Sequence, residues 1–129
     1  MEKQALSSSG APRPIGPYSA AVRAGQLLFI SGQIPVDPAT GQIVSDDISV
    51  QTRRVLDSIG ALLKAANLGF ADVVRTSVFL KDLNDFGAMN EVYQAYFPEP
   101  YPARSTIEAA RLPRDVRVEI DAIAMVGAG

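Results

Sequence analysis

The chain contains no cysteine and no histidine. The first absence excludes disulfides, thiolate nucleophiles and thiolate metal sites. The second excludes Ser-His-Asp and Cys-His arrangements and any imidazole-ligated zinc. Chemistry on this chain has to come from Arg, Asp, Glu, Tyr, Ser, Thr, Asn or backbone groups, and the only metal centre left open in principle is a hard, oxygen-ligand one. Long apolar runs are also missing. No segment approaches the roughly 20 residues of a membrane span, and the opening MEKQALSSSGAPRP lacks an apolar stretch of signal-peptide length, so the cytosol is the expected location. Nor is there an excess of positive charge. With 12 Lys and Arg against 14 Asp and Glu, the net charge is −2 and no basic run stands out, so the counterion release that drives nucleic-acid binding would be weak. Gly16, Gly32 and Gly41 are not followed by the Lys-Ser or Lys-Thr of a phosphate-cradling loop.

What is present is apolar side chain. Hydrophobic residues make up 47% of 129, a length that fills one core and would leave two cores marginal. Residues 1–14, polar and broken by Gly10, Pro12 and Pro14, read as a flexible or edge-hugging arm, and residues 15–126 as a single domain. Ala21-Val22-Arg23, a turn at 24–26 and Leu27-Leu28-Phe29-Ile30 fit a hairpin with a well-buried second strand. Val55, Ile59, Leu62, Leu63 and Ala66 recur at helical spacing between capping candidates Ser45, Asp46 and Asp47 and a stop at Asn67 or Gly69. Val73 to Leu80 reads as a central strand apolar on both faces. A second helix starts near Asn84 or Asp85, carries Phe86, Met89, Asn90, Tyr93 and Phe97 on one stripe, and stops at Pro98. Strands at 103–109 and 116–125 follow, the second after a Leu112-Pro113 turn. The order is ββ-α-β-α-ββ: an α+β fold with two helices on one face of a mixed sheet. Two helices cover only one face, so the other is expected to pack against further copies of the chain.

Strand periodicity sorts the polar residues. Arg104, Thr106 and Glu108 share one face of their strand, and Glu119 and Asp121 share one face of the last. An arginine in the middle of a sheet needs an anion, because burying its charge unpaired is costly. It meets either a protein carboxylate or the carboxylate or phosphate of a ligand, and from the strand alone the internal ion pair is the commoner outcome. Glu119 and Asp121 either face solvent, pair with Arg104, Arg111 or Arg117, or include a general base held near Arg104. Tyr18 lies in a tight turn, and Ser31-Gly32-Gln33 ends a strand where backbone could approach a ligand or form a bulge. Asn90 could equally be an amide satisfied by a loop carbonyl.

Taken together, Ile15-Gly16-Pro17-Tyr18, Ile30-Ser31-Gly32-Gln33-Ile34-Pro35, TSVFLKDLNDF from Thr76 to Phe86, Pro102-Ala103-Arg104-Ser105, Arg111-Leu112-Pro113-Arg114-Asp115 and the run from Val118 to Ala124 resemble the Rid family, also called YjgF. These are reactive-intermediate deaminases, and the likeness runs from about Pro14 to Met125. The resemblance implies a chorismate-mutase-like fold, a homotrimer whose sheets form a central barrel, and three clefts between subunits. It implies hydrolysis of 2-enamino and 2-imino acids to 2-keto acids and ammonia, without cofactor or metal. Arg104 would clamp the substrate carboxylate and Glu119 position or activate water, with Tyr18, Ser31, Asn90 and the Thr106 backbone lining the cleft. Many relatives have cysteine at the Thr106 position, a departure expected to affect substrate preference. The alternatives are a keto-acid-binding sensor or chaperone-like trimer that does no chemistry, and a deaminase of a larger enamine. A ribonuclease activity fits poorly with an acidic chain lacking histidine.

Overall fold

The computed structural model describes residues 2–126. Six strands, β1 (Lys3–Leu6), β2 (Ala21–Ala24), β3 (Leu27–Gln33), β4 (Val73–Leu80), β5 (Ala103–Glu108) and β6 (Val118–Met125), form one sheet in the order β1-β2-β3-β6-β4-β5. Only β4 and β5 run parallel; every other neighbouring pair is antiparallel. Helices α1 (Ile48–Ala65) and α2 (Phe86–Tyr96) complete the α+β fold expected from the sequence.

Local chemistry sets the helix ends. Asp47 caps α1, its carboxylate accepting the Val50 N–H at 2.9 Å, and Asn67 adopts the left-handed conformation (φ 61°) that ends it. Between them Val55, Leu56, Ile59, Leu62 and Leu63 are fully buried. They pack with the alternate residues Leu28 and Ile30 of β3, Val78 and Leu80 of β4, and Val118, Ile120, Ala122 and Ala124 of β6. Each such aliphatic side chain contributes about 1.5–3 kcal/mol relative to exposure, so this single helix-facing layer supplies most of the drive to fold. α2 begins after a 3₁₀ turn at Leu83–Asp85 and adds Met89, Tyr93 and, just past its end, Phe97 to the same core.

Four expectations need correction. The segment 1–14 is not wholly a flexible arm: Lys3–Leu6 pairs with β2, satisfying the backbone groups of what would otherwise be an edge strand. β3 is buried on one face only, with Leu27 38% and Phe29 42% exposed on the other. β4 lies one strand in from the edge, and β6 holds the more interior place. Finally β5, and Arg104 with it, forms an edge of the sheet rather than its middle. A parallel partner for β4 has to arrive by a crossover, here α2, and that crossover deposits β5 at the rim.

The second sheet face carries no helix. Leu27, Phe29, Ile107 and Met125 stand exposed on it, beside Ser77, Phe79, Glu119, Asp121 and Ile123.

Candidate active site

Arg104 reaches the helix-covered side of the sheet. It is the register partner of Thr76 on the parallel strand β4, and Thr76 Oγ1 is hydrogen-bonded to Tyr93 Oη of α2 at 2.7 Å. The Arg104 guanidinium lies over the Tyr93 ring, with Cζ 4.7 Å from its centroid, and 5.6 Å from that of Phe86. Among the described residues it has no carboxylate at ion-pair distance; the ion pairs are Lys81 with Asp115 and Arg117 with Asp46 and Asp85. The internal ion pair favoured by the strand alone is therefore not formed, because every carboxylate that could serve lies elsewhere.

A cavity of about 330 Å³ opens beside Arg104, lined by Asn90, Tyr93, Gln94, Tyr101, Pro102 and Arg104. It holds an uncommitted cation, two carboxamides and two phenol rings. That donor set suits a small anion with a carboxylate at one end. Asn90, half-buried, comes into it from α2 one turn before Tyr93, and Thr106, also half-buried, follows two residues after Arg104 on the same face of β5.

The remaining expected residues gather elsewhere. Glu119 is the register partner of Phe79, so it projects from the sheet face opposite to Thr76 and Arg104. Its carboxylate rests against Gly32, where β3 and β6 slip register between Ile30 and Gln33. A Cβ at position 32 would overlap Glu119 Oε2 and come to 2.9 Å of its Cδ. Ser31 Oγ donates to the Ser19 carbonyl at 2.6 Å and the Ser31 N–H to the Ala20 carbonyl at 3.0 Å, tying the bulge to the loop that carries Tyr18. Tyr18, 52% exposed, lines a small hollow with Arg13, Gly32 and Gln33. It also lines a larger cavity of about 230 Å³ with Ile15, Ile34 and Arg114.

The expected site residues thus fall into two separate groups on one chain. One holds Asn90, Arg104 and Thr106; the other holds Tyr18, Ser31 and Glu119. Within one chain Glu119 and Arg104 do not meet, because the two project from opposite faces. Burial, and after it the negative charge of Asp121 on the same face, raises the Glu119 carboxyl above the usual carboxylate range. A carboxyl poised this way exchanges a proton more readily near neutral pH than a solvated one.

The sequence reading missed Tyr93, Tyr101 and Gln94 as site residues. Tyr93 sits on the apolar stripe of α2 and reads as core, yet a buried tyrosine needs a hydroxyl partner, and that need was the available signal.

Fold and site together define a small α+β protein with an arginine free of ion pairs at the lip of a small cavity. The chain belongs to the family described as Endoribonuclease L-PSP, whose model matches residues 8–126; this is the Rid or YjgF group whose motifs it carries. It is 56% identical over 122 residues to a protein of Pyrococcus horikoshii named only as a RutC family protein, spanning 95% of this chain and 97% of that one. It is 49% identical over 123 residues to the 2-iminobutanoate/2-iminopropanoate deaminase of Salmonella typhimurium, spanning 93% and 95%. Among solved structures, that of Escherichia coli TdcF with bound serine superposes with a TM-score of 0.91 at 44% identity, covering 96% of this chain and 99% of that one.

Proposed function

We propose that this protein hydrolyses reactive 2-imino acids, the tautomers of 2-aminoacrylate and 2-aminocrotonate, to 2-keto acids and ammonia. The observation that carries the reading is Arg104, an arginine without a protein carboxylate at the lip of a cavity large enough for a small amino-acid-like anion. The deaminase name of the Salmonella relative and the serine bound to TdcF support it, since both point to ligands with a carboxylate next to a nitrogen-bearing carbon.

In this mechanism Arg104 grips the carboxylate through two parallel charge-assisted hydrogen bonds, each contributing about 1.5–3 kcal/mol. Glu119 accepts a proton from a water as the water oxygen bonds to the imine carbon, giving a carbinolamine. Glu119 returns that proton to the nitrogen, then takes the carbinolamine hydroxyl proton as the C=O bond forms and the C–N bond breaks, and delivers it to the departing nitrogen, which leaves as ammonia. Water supplies the oxygen, and no redox step or cofactor enters the balance.

Arg104 and Glu119 project from opposite faces of one sheet, so a complete site needs Glu119, with Ser31 and Tyr18, from a neighbouring copy. We take the assembly to be a homotrimer with three clefts, in which the open face bearing Leu27, Phe29, Ile107 and Met125 packs into a shared barrel. The exposed apolar side chains of that face support this arrangement.

The test couples the protein to a threonine dehydratase that generates the imine in situ, with semicarbazide competing for it, and follows 2-ketobutyrate release. Wild type is expected to accelerate release and Arg104→Ala to lose at least a hundredfold in kcat/KM, the loss of two charged hydrogen bonds. A wild type that binds 2-ketobutyrate without accelerating its formation is a sensor, and the deaminase reading is then wrong.

A further inference from the structure

Arg104 is held by aromatic surface rather than by a charge. A three-carbon stem ending in a planar cation would sample many rotamers at a cavity lip, and a two-point grip on a carboxylate requires the guanidinium plane to be set beforehand. The structure supplies a stack that does this. The Tyr93 ring has Arg104 over it at 4.7 Å and Phe97 stacked against it, with centroids 4.4 Å apart and planes 29° from parallel. Phe97 meets Phe70 edge to face at 5.1 Å, so the stack is anchored in the core. A swing of the Tyr93 ring about its χ1 torsion is opposed by the 2.7 Å hydrogen bond between its hydroxyl and Thr76 Oγ1. Both residues are buried, Thr76 completely, and Thr76 is the register partner of Arg104 on the adjacent strand.

We propose that the buried Thr76–Tyr93 hydroxyl pair is a positioning device for Arg104. It fixes the phenol ring on which the guanidinium lies and leaves the guanidinium edge, with its N–H donors, turned to the ligand carboxylate. Thr76 acts through Tyr93, and Tyr93 through Arg104. The inference rests on the assignment of Arg104 as the carboxylate clamp, and it concerns binding more than chemistry: an arginine that grips substrate and transition state alike changes KM and leaves kcat in place.

The experiment measures 2-ketobutyrate affinity by calorimetry, alongside kcat and KM in the coupled assay, for wild type, Thr76→Val, Thr76→Ser and Tyr93→Leu. Thr76→Val keeps the shape of the side chain and removes the hydroxyl. It is expected to weaken 2-ketobutyrate and raise KM about tenfold, as one of two charged contacts is misaligned, with kcat within about twofold. Thr76→Ser restores the hydroxyl and should return both values to within about threefold of wild type, a rescue that a packing role would not produce. Tyr93→Leu removes the ring and should lose at least as much affinity as Thr76→Val. Wild-type affinity in Thr76→Val overturns the proposal, as does wild-type affinity in Tyr93→Leu, a fall in kcat at unchanged affinity, or failure of Thr76→Ser to rescue. If wild type binds 2-ketobutyrate without turnover, the deaminase reading falls while the device is still judged on affinity. If wild type does not bind it, both fall.

Discussion

Replacing Gly32 with alanine adds one methyl group to the protein, and its effect follows from a single contact. The position needs no left-handed backbone, so an L-residue is tolerated there except for what its Cβ meets. That is Glu119: the methyl would overlap Oε2, stand 2.9 Å from Cδ and 3.2 Å from Cγ. Ordinary contacts to carbon lie near 3.5–4 Å, so the carboxylate has to withdraw by roughly 1 Å. It is the end of a flexible side chain, and the cost to folding is therefore small, within about 1 kcal/mol. The cost to catalysis is larger, because a 1 Å misplacement of a reacting group lowers rate by on the order of a hundredfold. Gly32→Ala should accordingly lose about two orders of magnitude in kcat, with 2-ketobutyrate affinity and melting temperature near wild type. In a Glu119→Gln background the same substitution should cost almost nothing more, since the group it displaces no longer acts. The assay is semicarbazide-competed 2-ketobutyrate release, with thermal unfolding followed in parallel. A Gly32→Ala protein with wild-type kcat would refute the placement of Glu119 as the base.

The acid limb of the kcat/KM profile should report Glu119. Its pKa is raised by burial and then by Asp121, so the base form is lost and activity falls tenfold per pH unit at a pH above the usual carboxylate range. Asp121→Asn should move that limb to lower pH, and an unmoved limb would assign it to another group. Folding raises this pKa, so the native state holds the proton more tightly than the unfolded chain. Stability is lost as pH rises from the ordinary carboxylate value through the raised one, and Glu119→Gln should melt higher than wild type at neutral pH but not below pH ~4. Phe29→Asp places a charge on the open sheet face and should yield monomers by analytical ultracentrifugation, with deaminase activity lost along with the shared cleft. A fully assembled Phe29→Asp protein would mean that this face is not the interface.

Much of the candidate site was legible residue by residue. Arg104 stood out because an arginine expected in the middle of a sheet has to meet an anion, and Gly32 because a glycine at a strand end marks a bulge or a close approach. Glu119 and Asp121 were placed on one face by alternation alone. What escaped was every relation across strands and layers. Tyr93 has the spacing of a core residue and is one, yet its two ring faces and its hydroxyl are each committed to a different neighbour from a different element.

Periodicity, capping and turn residues act over a few positions, and so the chain itself determined the two helices, the order of the elements from β2 onward, the α+β class and which side chains share a face within each strand. Two decisions were left to the tertiary structure. The crossover through α2 put β5 at the sheet edge, leaving Arg104 beside a cavity rather than between strands. The pairing of β6 with β4 and of β4 with β5 set Glu119 against Phe79 and Arg104 against Thr76, and so on opposite faces. Alternation is a local property of each strand, but the phase of one strand relative to another depends on register, and register is settled only when the shared core is packed.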